Sequence, residues 1–247
     1  MSILEPLKLY KNRMLSCLPM SDLKRLAPHL VPVILHVNDT LTIAGEEGTD
    51  AFFLEEGLCS IVVKMKNGST VEVGVIGKEA VVGAAAALGE DQTPNRGFIQ
   101  IAGSGFRIDL KTLREQAERS SELRECLQRS VQGLLMMTAQ TAACNRVHEM
   151  HERLARWILT CHDRVESDRI PITHEFLGMM LGVGRPTVTI AAGTLQEAGL
   201  IVYSRGHVTI QDRKGLEHAA CECYQVVRKE YRRLGLLDRE ANVAAGG

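Results

Sequence analysis

The sequence has few aromatic residues and no long apolar run, and both shortages narrow the classes of protein it can be. Phe, Trp and Tyr make up 4% of the 247 residues. No stretch approaches the ~20 consecutive apolar residues that a transmembrane helix needs. The opening residues MSILEPLKLYKNR lack the basic-then-apolar layout of a signal peptide. We therefore expect a cytoplasmic protein with no membrane partner.

Charge excess and catalytic motifs are also missing. The net charge is -1, so any affinity for nucleic acid must come from local placement of basic side chains. The seven cysteines include no C-x-x-C pair, and in a cytosolic protein they are expected to be reduced and packed as small apolar groups. The chain contains no G-x-S-x-G, P-loop or H-E-x-x-H motif. We expect no enzyme and no catalytic residues.

Residues 31–110 have the pattern of short strands separated by turns. Gly, Asn and Asp divide runs that are apolar or alternate in polarity. Asn67-Gly68 lies between two of these runs and predicts a two-residue hairpin turn. Many short strands with regular turns are typical of a barrel or jelly roll. The runs are VPVILHV, DTLTIA, AFFLEE, CSIVVKMK, STVEVGVI and GFIQIAG.

Residues 111–164 change to a helical period. A break is predicted near Arg146, His148 and His151, before a second helix with the sequence ERLARWILTCHDRV. Globular helices average only ~11–12 residues, so the length favours pairing with a second copy of the chain. Packing of the helix on its own domain is the alternative. The apolar stripe consists of Leu123, Leu127, Val131, Leu134 or Leu135, Thr138 and Thr141.

Two short helices joined by a glycine turn are predicted from residue 173 onward. Thr173 is suited to cap the helix HEFLGMML, because its hydroxyl can accept a free first-turn N–H. In the turn 182–184 the first glycine supplies an unusual backbone angle and the valine is buried. A second helix begins at Arg185 and ends at Gly199, which makes a helix-turn-helix. Its inward face is predicted to hold Val188, Ala191, Ala192, Leu195 and Ala198.

A β-hairpin follows the second helix directly. In LIVYSRGHVTIQD two β-rich runs flank the turn sequence Ser-Arg-Gly-His. A hairpin in this position is typical of the winged form of the helix-turn-helix. Arg205 and His207 are then expected at the tip of the wing, near a phosphate backbone.

The region from ERLARWIL through ITHEFLGMMLGVGRPTVTIAAGTLQEAGLIVYSRGHVTI resembles the DNA-binding domain of the Crp/Fnr family of bacterial transcription regulators. NDTLTIAGEEGTDAFFLEEGLCSIVV is similar to the family's cyclic-nucleotide-binding-like β-roll, and the long helix to its dimerisation helix. The implied fold class is α+β. The domains expected are a jelly-roll-like sensor β-roll at 1–116, a dimerisation helix at 117–147, a winged helix-turn-helix domain at 148–235 and a flexible tail at 236–247.

The resemblance implies which residues meet DNA. A recognition helix presents its first residues to base edges in the major groove, and Arg185 there can bond guanine O6 and N7 together. Pro186 and Ile190 differ from the acidic and basic residues of the cAMP-binding members, so a different operator is expected. Some of these side chains have simpler interpretations, as exposed helix residues or, for Thr173, as a cap alone. The predicted DNA-binding residues are Arg185, Thr187, Thr189, Ile190, Thr173, His174, Arg205 and His207.

The implied function is a sequence-specific transcription regulator that binds double-stranded DNA as a homodimer through the 117–147 helix. Two copies on a two-fold axis read a near-palindrome with half-sites ~34 Å apart. RNA polymerase is a further candidate partner. The alternative is a ligand-binding or protein-interaction module whose winged helix no longer reads DNA, which the near-zero net charge, Pro186 and Ile190 favour.

A cyclic-nucleotide effector is not expected. The cAMP-binding members carry Gly-Glu-x-Gly followed by Arg-Ser or Arg-Thr. Here Glu79 precedes Gly83 by four residues, and Arg96 follows it by 13 and is itself followed by glycine. A phosphate cradle needs closely aligned amides and arginine, so cAMP and cGMP are disfavoured while another small molecule stays open. The candidate effector pocket is Glu79, Gly83, Arg96 and Thr138, although Glu79 is better interpreted as a solvated turn residue and Arg96 as a surface arginine.

No metal cofactor is predicted. Only one cysteine lies in the first 58 residues, which does not provide the N-terminal iron–sulfur cluster of the redox-sensing members. His218, Cys221 and Cys223 fall on a predicted C-terminal helix, where positions 221 and 223 point about 200° apart. His148 and His151 share a face but supply too few ligands for zinc.

Overall fold

The structure is a computed structural model that describes residues 10–89, 92–165 and 167–238. Most of the tail predicted to be flexible, 239–247, lies outside the described residues. Its first residues do not behave as predicted, because Leu236 is buried and packs beside Gly133 and Tyr231 of two other helices. Leu236 therefore packs with the helices rather than lying in a flexible tail.

Two antiparallel four-stranded sheets form the N-terminal β-roll. Their strand orders are β1-β8-β3-β6 and β2-β7-β4-β5. This architecture confirms the predicted roll, and six of its strands match the predicted runs. The strands are β1 (Val31–Leu35), β2 (Thr40–Thr42), β3 (Asp50–Leu54), β4 (Leu58–Lys64), β5 (Thr70–Ile76), β6 (Val81–Val82), β7 (Arg96–Ile101) and β8 (Gly103–Asp109).

Strands β6 and β8 were not predicted. The glycines of β8 look like a turn in the sequence, yet they serve a close approach between strands. A Cβ on Gly105 would lie 2.4 Å from the carbonyl oxygen of Phe53, and one on Gly103 would lie 2.2 Å from that of Glu56. Only glycine fits at these two positions, because a Cβ would collide with the neighbouring backbone.

The predicted β4–β5 hairpin is present, but its turn is longer than two residues. Gly68 donates to the carbonyl of Met65 at 3.0 Å, and Met65 donates to that of Ser69 at 2.8 Å. Gly68 has a φ of 84°, whereas Asn67 is not among the residues with positive φ. The turn thus needs one left-handed residue, as in three-residue hairpin loops.

Helices pack against the roll and build the C-terminal half. Among the described residues, no single helix is both long and apolar enough to cross a membrane; one pair, 174–181 with 185–197, meets that criterion jointly but is bent by 104°. The helices are α1 (Arg13–Ser16), α2 (Met20–Leu26), α3 (Ala84–Leu88), α4 (Leu110–Glu118), α5 (Ser121–Val147), α6 (Met150–His162), α7 (His174–Leu181), α8 (Arg185–Glu197), α9 (Arg213–Ala219) and α10 (Cys223–Arg233), with a 3-10 turn at Ala27–His29.

The long helix α5 begins later than predicted, at Ser121 rather than residue 117. Residues 110–118 form the separate helix α4, and Ser120 caps α5 by accepting the N–H of Leu123 at 3.0 Å. The predicted break near His148 is confirmed, since α5 ends at Val147. One face of α5 packs against other parts of the same chain. The length of the helix alone did not predict this packing.

Helix α6 connects the β-roll to the rest of the molecule. The indole N–H of Trp157 donates to the Glu72 carboxylate of β5 at 2.7 Å. Ser60 donates its hydroxyl to the same carboxylate at 2.7 Å. Glu72 is buried, and this burial raises its pKa to about 7 despite those two donors.

The raised pKa of Glu72 predicts a pH dependence of stability. Its ordinary pKa is 4.5, so between about pH 4.5 and 7 the folded protein holds a proton that the unfolded chain releases. The free energy of unfolding then falls as the pH rises through this window, by on the order of 3 kcal/mol. Glu72→Gln should remove this slope, as measured by urea unfolding at several pH values.

The exposed Glu118 of α4 provides a control. Glu118→Gln should leave the slope as in the wild type. A wild-type slope in Glu72→Gln would mean that another group is responsible.

Candidate nucleic-acid interface

Helices α7 and α8 form the predicted helix-turn-helix. The Thr173 hydroxyl accepts the N–H of Phe176 at 3.2 Å and caps the start of α7. The C-cap of this helix is Gly182, with a φ of 68°. The two helix axes are bent by 104°, within the ~90–120° usual for this motif. Gly178 allows the close turn, because a Cβ there would lie 2.7 Å from the carbonyl oxygen of Val183.

Helix α8 buries one face and exposes its N-terminal turns. Four of the five residues predicted to face inward are buried, namely Val188, Ala191, Ala192 and Leu195. Ala198 is exposed instead, because it is the C-cap of the helix and lies beyond its last buried turn. The side chains predicted to meet bases are all exposed: Arg185, Thr187, Thr189 and Ile190, the last at 73%.

His174 links the two helices and the wing. Its Nδ1 lies 3.1 Å from the Thr189 hydroxyl, and its ring stacks on Tyr203 with centroids 3.9 Å apart. Burial, and then the charge of Arg185, lower the pKa of His174. His174 therefore contacts Thr189 of α8 directly, and the two residues predicted separately belong to one cluster.

Tyr203 completes this cluster and was not among the residues predicted from the sequence. Its hydroxyl donates to the carbonyl of Ile172 at 3.0 Å, and its N–H donates to the Gln196 side chain at 2.7 Å. These bonds fix the wing relative to both helices. The β-rich run around Tyr203 predicted only that it lies in a strand. Its contacts are with residues elsewhere in the chain, which the local sequence does not reveal.

The wing has the predicted hairpin turn. Three strands pair in the order β10-β11-β9, with β9 at Arg169–Pro171, β10 at Ile201–Ser204 and β11 at His207–Ile210. Arg205 and Gly206 form a two-residue turn with φ values of 49° and 77°, as in type I′ hairpins. Arg205 is exposed at the tip, whereas the half-buried His207 begins β11 and lies with Nδ1 3.2 Å from the carbonyl of Arg205.

The residues predicted for an effector pocket lie in separate surroundings. Glu79 is buried and accepts from Arg164 Nε at 2.7 Å, so its interpretation as a solvated turn residue is wrong. Arg96 is exposed and donates to the Thr40 hydroxyl at 3.0 Å. Gly83 has a φ of 89° and packs against the backbone of β3.

Thr138, the fourth of these residues, bonds within its own helix, to the carbonyl of Leu134 at 2.9 Å. Leu134 itself packs tightly on β5, 2.7 Å from the position that a Cβ on Gly74 would take. Among the described residues, no hydrogen bond or ion pair joins any two of the four. Their arrangement does not support a shared pocket.

Cys221 and Cys223 do not lie on one helix. Helix α9 ends at Ala219, Cys221 lies in the turn that follows, and α10 begins at Cys223. The inference that these cysteines point apart is therefore wrong, because it assumed continuous helix. Both sulfurs instead lie beside Cys144 of α5, whereas His218 is on α9.

The comparisons match both halves of the chain. Residues 33–120 match the cyclic nucleotide-binding domain, and residues 152–219 match the Crp-like helix-turn-helix domain. The two ranges together cover more than half of the sequence. The first falls mainly on the β-roll and the second on the region of the helix-turn-helix and wing. The chain belongs to the Crp/Fnr family of transcription regulators. It is a DNA-binding transcription regulator.

Solved structures of this family share the fold. FixK2 from Bradyrhizobium japonicum is 14% identical over 78% of this chain and 98% of its own, with a TM-score of 0.66. The c-di-GMP-responsive global regulator CLP from Xanthomonas campestris is 14% identical over 78% of this chain and 100% of its own, with a TM-score of 0.64. A Crp/Fnr family regulator from Thermus thermophilus is 20% identical over 77% of this chain and 98% of its own, with a TM-score of 0.62. A comparison with curated proteins finds no match.

Two glycines of the helix-turn-helix give a matched test of its turn. Gly178→Ala should lower the free energy of unfolding by about 1–3 kcal/mol, because its methyl group would collide with the backbone of the turn. Apart from the backbone of α8 itself and the two chain neighbours, no atom of the described residues lies within 4 Å of a Cβ on Gly193. Gly193→Ala should raise stability by about 0.5–1 kcal/mol through helix propensity.

Urea unfolding of the two variants provides the measurement. Equal effects of the two alanines would show that the packing of α7 on the turn does not constrain the motif.

Proposed function

We propose that this regulator acts as a homodimer that reads a near-palindromic operator through α8, with Arg185 as its main base-reading side chain. The observation that carries the proposal is the exposed N-terminal face of α8. Arg185 is the only basic residue on that helix and stands at its first position. A guanidinium there can bond guanine O6 and N7 together.

The surroundings of Arg185 favour readout of bases over a passive surface role. His174, stacked on Tyr203, holds Thr189 one turn further along α8. Thr189 also donates to the carbonyl of Arg185 at 3.0 Å. Ile190 is exposed although it is apolar, and such a side chain suits a thymine methyl group.

The wing and the cap of α7 supply contacts to the DNA backbone in this proposal. Arg205 stands at the wing tip, where its charge favours phosphate. Thr173 lies at the N-terminus of α7, and backbone N–H groups at a helix start also suit phosphate oxygens. Because the net charge of the chain is -1, these few local cations must carry the attraction to DNA.

Helix α5 supplies the dimer contact in this proposal. Leu135 is 68% exposed on this helix of 27 residues. Val131, Ala139 and Ala142 follow the same face at spacings of four and three, and none of them is buried. An apolar stripe with small residues allows a second α5 to approach closely.

Selection from a random DNA library with the purified full-length protein tests the function. Enrichment of a near-palindrome with half-sites ~34 Å apart is expected, together with an affinity that falls steeply with salt. Failure to enrich any sequence, or a weak salt dependence, would favour a module that no longer reads DNA.

Arg185→Ala should lower affinity for the selected operator about 5- to 150-fold, since a bidentate base contact contributes ~1–3 kcal/mol of discrimination. The loss should be greatest for operators that keep the selected guanine. Titration by fluorescence anisotropy measures it. The exposed Arg119 of the N-terminal half is the control, and Arg119→Ala should bind as the wild type does. Equal affinities of the wild type, Arg185→Ala and Arg119→Ala would show that Arg185 does not contact the operator.

Leu135→Glu should convert the dimer to a monomer, because a carboxylate buried between two helices loses its hydration. Light scattering after size-exclusion chromatography measures the mass. Ile34 of β1 is 76% exposed, so Ile34→Glu is a matched control and should remain a dimer. A dimeric Leu135→Glu protein would place the interface elsewhere.

A further inference from the structure

Four side chains with metal-binding atoms converge where α5 ends. They are Cys144, His148, Cys221 and Cys223, and their ligand atoms all lie within 4.8 Å of one another. The sulfurs of Cys144 and Cys221 are 3.5 Å apart, and His148 Nδ1 lies 3.6 Å from the sulfur of Cys223. All three cysteines are buried. Two segments of the chain, 144–148 and 221–223, therefore supply one compact set of ligands.

The spacing of these atoms fits a single tetrahedral metal ion. Zinc holds sulfur at ~2.3 Å and imidazole nitrogen at ~2.0–2.1 Å, which places neighbouring ligand atoms ~3.3–3.8 Å apart. The two separations of 3.5 and 3.6 Å fall in that range. An iron–sulfur cluster spreads its thiolates around several iron atoms and so holds them further apart. The geometry therefore favours one ion over a cluster.

The groups around the four ligands also have the arrangement of a metal site. His148 Nε2 lies 2.9 Å from the Glu222 carboxylate, which leaves Nδ1 directed at the thiols. Metal-bound histidines typically donate their other ring N–H to a carboxylate in this way. The Gln140 amide donates to the sulfur of Cys223 at 3.0 Å. Both contacts orient a ligand without occupying the centre of the cluster.

The net charge of such a site is compensated by neighbouring arginines. Three thiolates, a neutral imidazole and a divalent ion carry one negative charge together. Arg153 and Arg156 of α6 both interact electrostatically with the sulfur of Cys144. Both arginines are buried, and the Nε of each finds no hydrogen-bond partner among the described residues. A buried anionic centre nearby stabilises such charges.

We propose that Cys144, His148, Cys221 and Cys223 form a four-coordinate binding site for zinc or a similar thiophilic divalent cation. All four positions are supplied by protein, as in structural zinc sites. The site ties the last turn of α5 to the segment between α9 and α10. It also adjoins Arg153, which donates to Asn145 of α5 at 2.8 Å and to the carbonyl of Leu181 in α7 at 2.7 Å.

The test uses the full-length protein purified with reductant and without chelator. Elemental analysis should find about one zinc ion per chain. Exchange for Co²⁺ should give the strong visible absorption of tetrahedral cobalt and the near-ultraviolet charge-transfer band of cobalt thiolate. Metal should raise the Tm of the wild type. These readouts do not involve DNA, so they succeed or fail independently of the function proposed above.

Variants assign the ligands. Cys144→Ser should weaken Co²⁺ binding more than about 100-fold, since loss of an outer partner alone costs 10–100-fold. Cys126 is also buried on α5 but is not part of the cluster, so Cys126→Ser should bind Co²⁺ as the wild type does. Glu222 is 73% exposed, and Glu222→Gln should fold and bind about 10–100-fold more weakly. This variant keeps the test decisive if Cys144→Ser does not fold.

Three results would overturn the proposal. The first is protein that carries no stoichiometric metal and gives only the weak absorption of octahedral cobalt. The second is equal loss of binding in Cys144→Ser and Cys126→Ser, or wild-type binding in Glu222→Gln. The third is a disulfide between Cys144 and Cys221, detected by mass spectrometry in protein kept with reductant and zinc.

Discussion

The burial of α6 is the constraint on which the arrangement of the two domains depends. This helix carries Arg153, Arg156 and Trp157 into the interior, and a buried polar group destabilises the fold unless it finds a partner. The partners come from different parts of the chain: Trp157 bonds the roll through Glu72, while Arg153 bonds both α5 and α7. A rearrangement that moves α6 away from the roll or from α7 would break one of these bonds. The polar contacts of α6 therefore link the roll to both α5 and α7, beside the direct packing of Phe176 of α7 on Phe98 of the roll.

The same helix also packs against α8, which carries the proposed DNA-reading surface. Helix α8 packs on α6, and its buried face consists of small and branched residues, among them Val188, Ala191 and Ala192. Alanines let two helices approach closely, so the orientation of α8 follows that of α6 with little freedom. The exposed turn with Arg185 is then directed by packing on its opposite side. A change in the partners of α6 at the roll would be felt at α8 through this contact, because packed interfaces shift between discrete arrangements rather than deform continuously.

What the sequence could predict depends on how local each signal is. The cap at Thr173, the left-handed Gly182 and the turn at Arg205 each involve neighbours within a few residues, so their residue types indicated the structure directly. The glycines of β8 were misleading because the backbone they approach, at Phe53 and Glu56, lies some fifty residues away. The burial of Glu79 depends on an arginine 85 residues further along the chain. The cysteine cluster was missed for the same reason: its ligands come from α5 and from a turn whose position only the fold establishes.

Helix α5 makes different contacts on different faces. Met137 and Cys144, seven residues apart, lie on nearly one face, and Met137 there accepts the N–H of Val75 in β5 at 3.4 Å. Leu135 lies about 200° around the helix from Met137 and is exposed to solvent. A single rigid helix therefore contacts the roll and the C-terminal helices and also exposes a face to solvent. A rotation of α5 that changed its fit on β5 would necessarily move both the exposed stripe and the ligand-bearing end, since a helix with no break between Ser121 and Val147 turns as a unit.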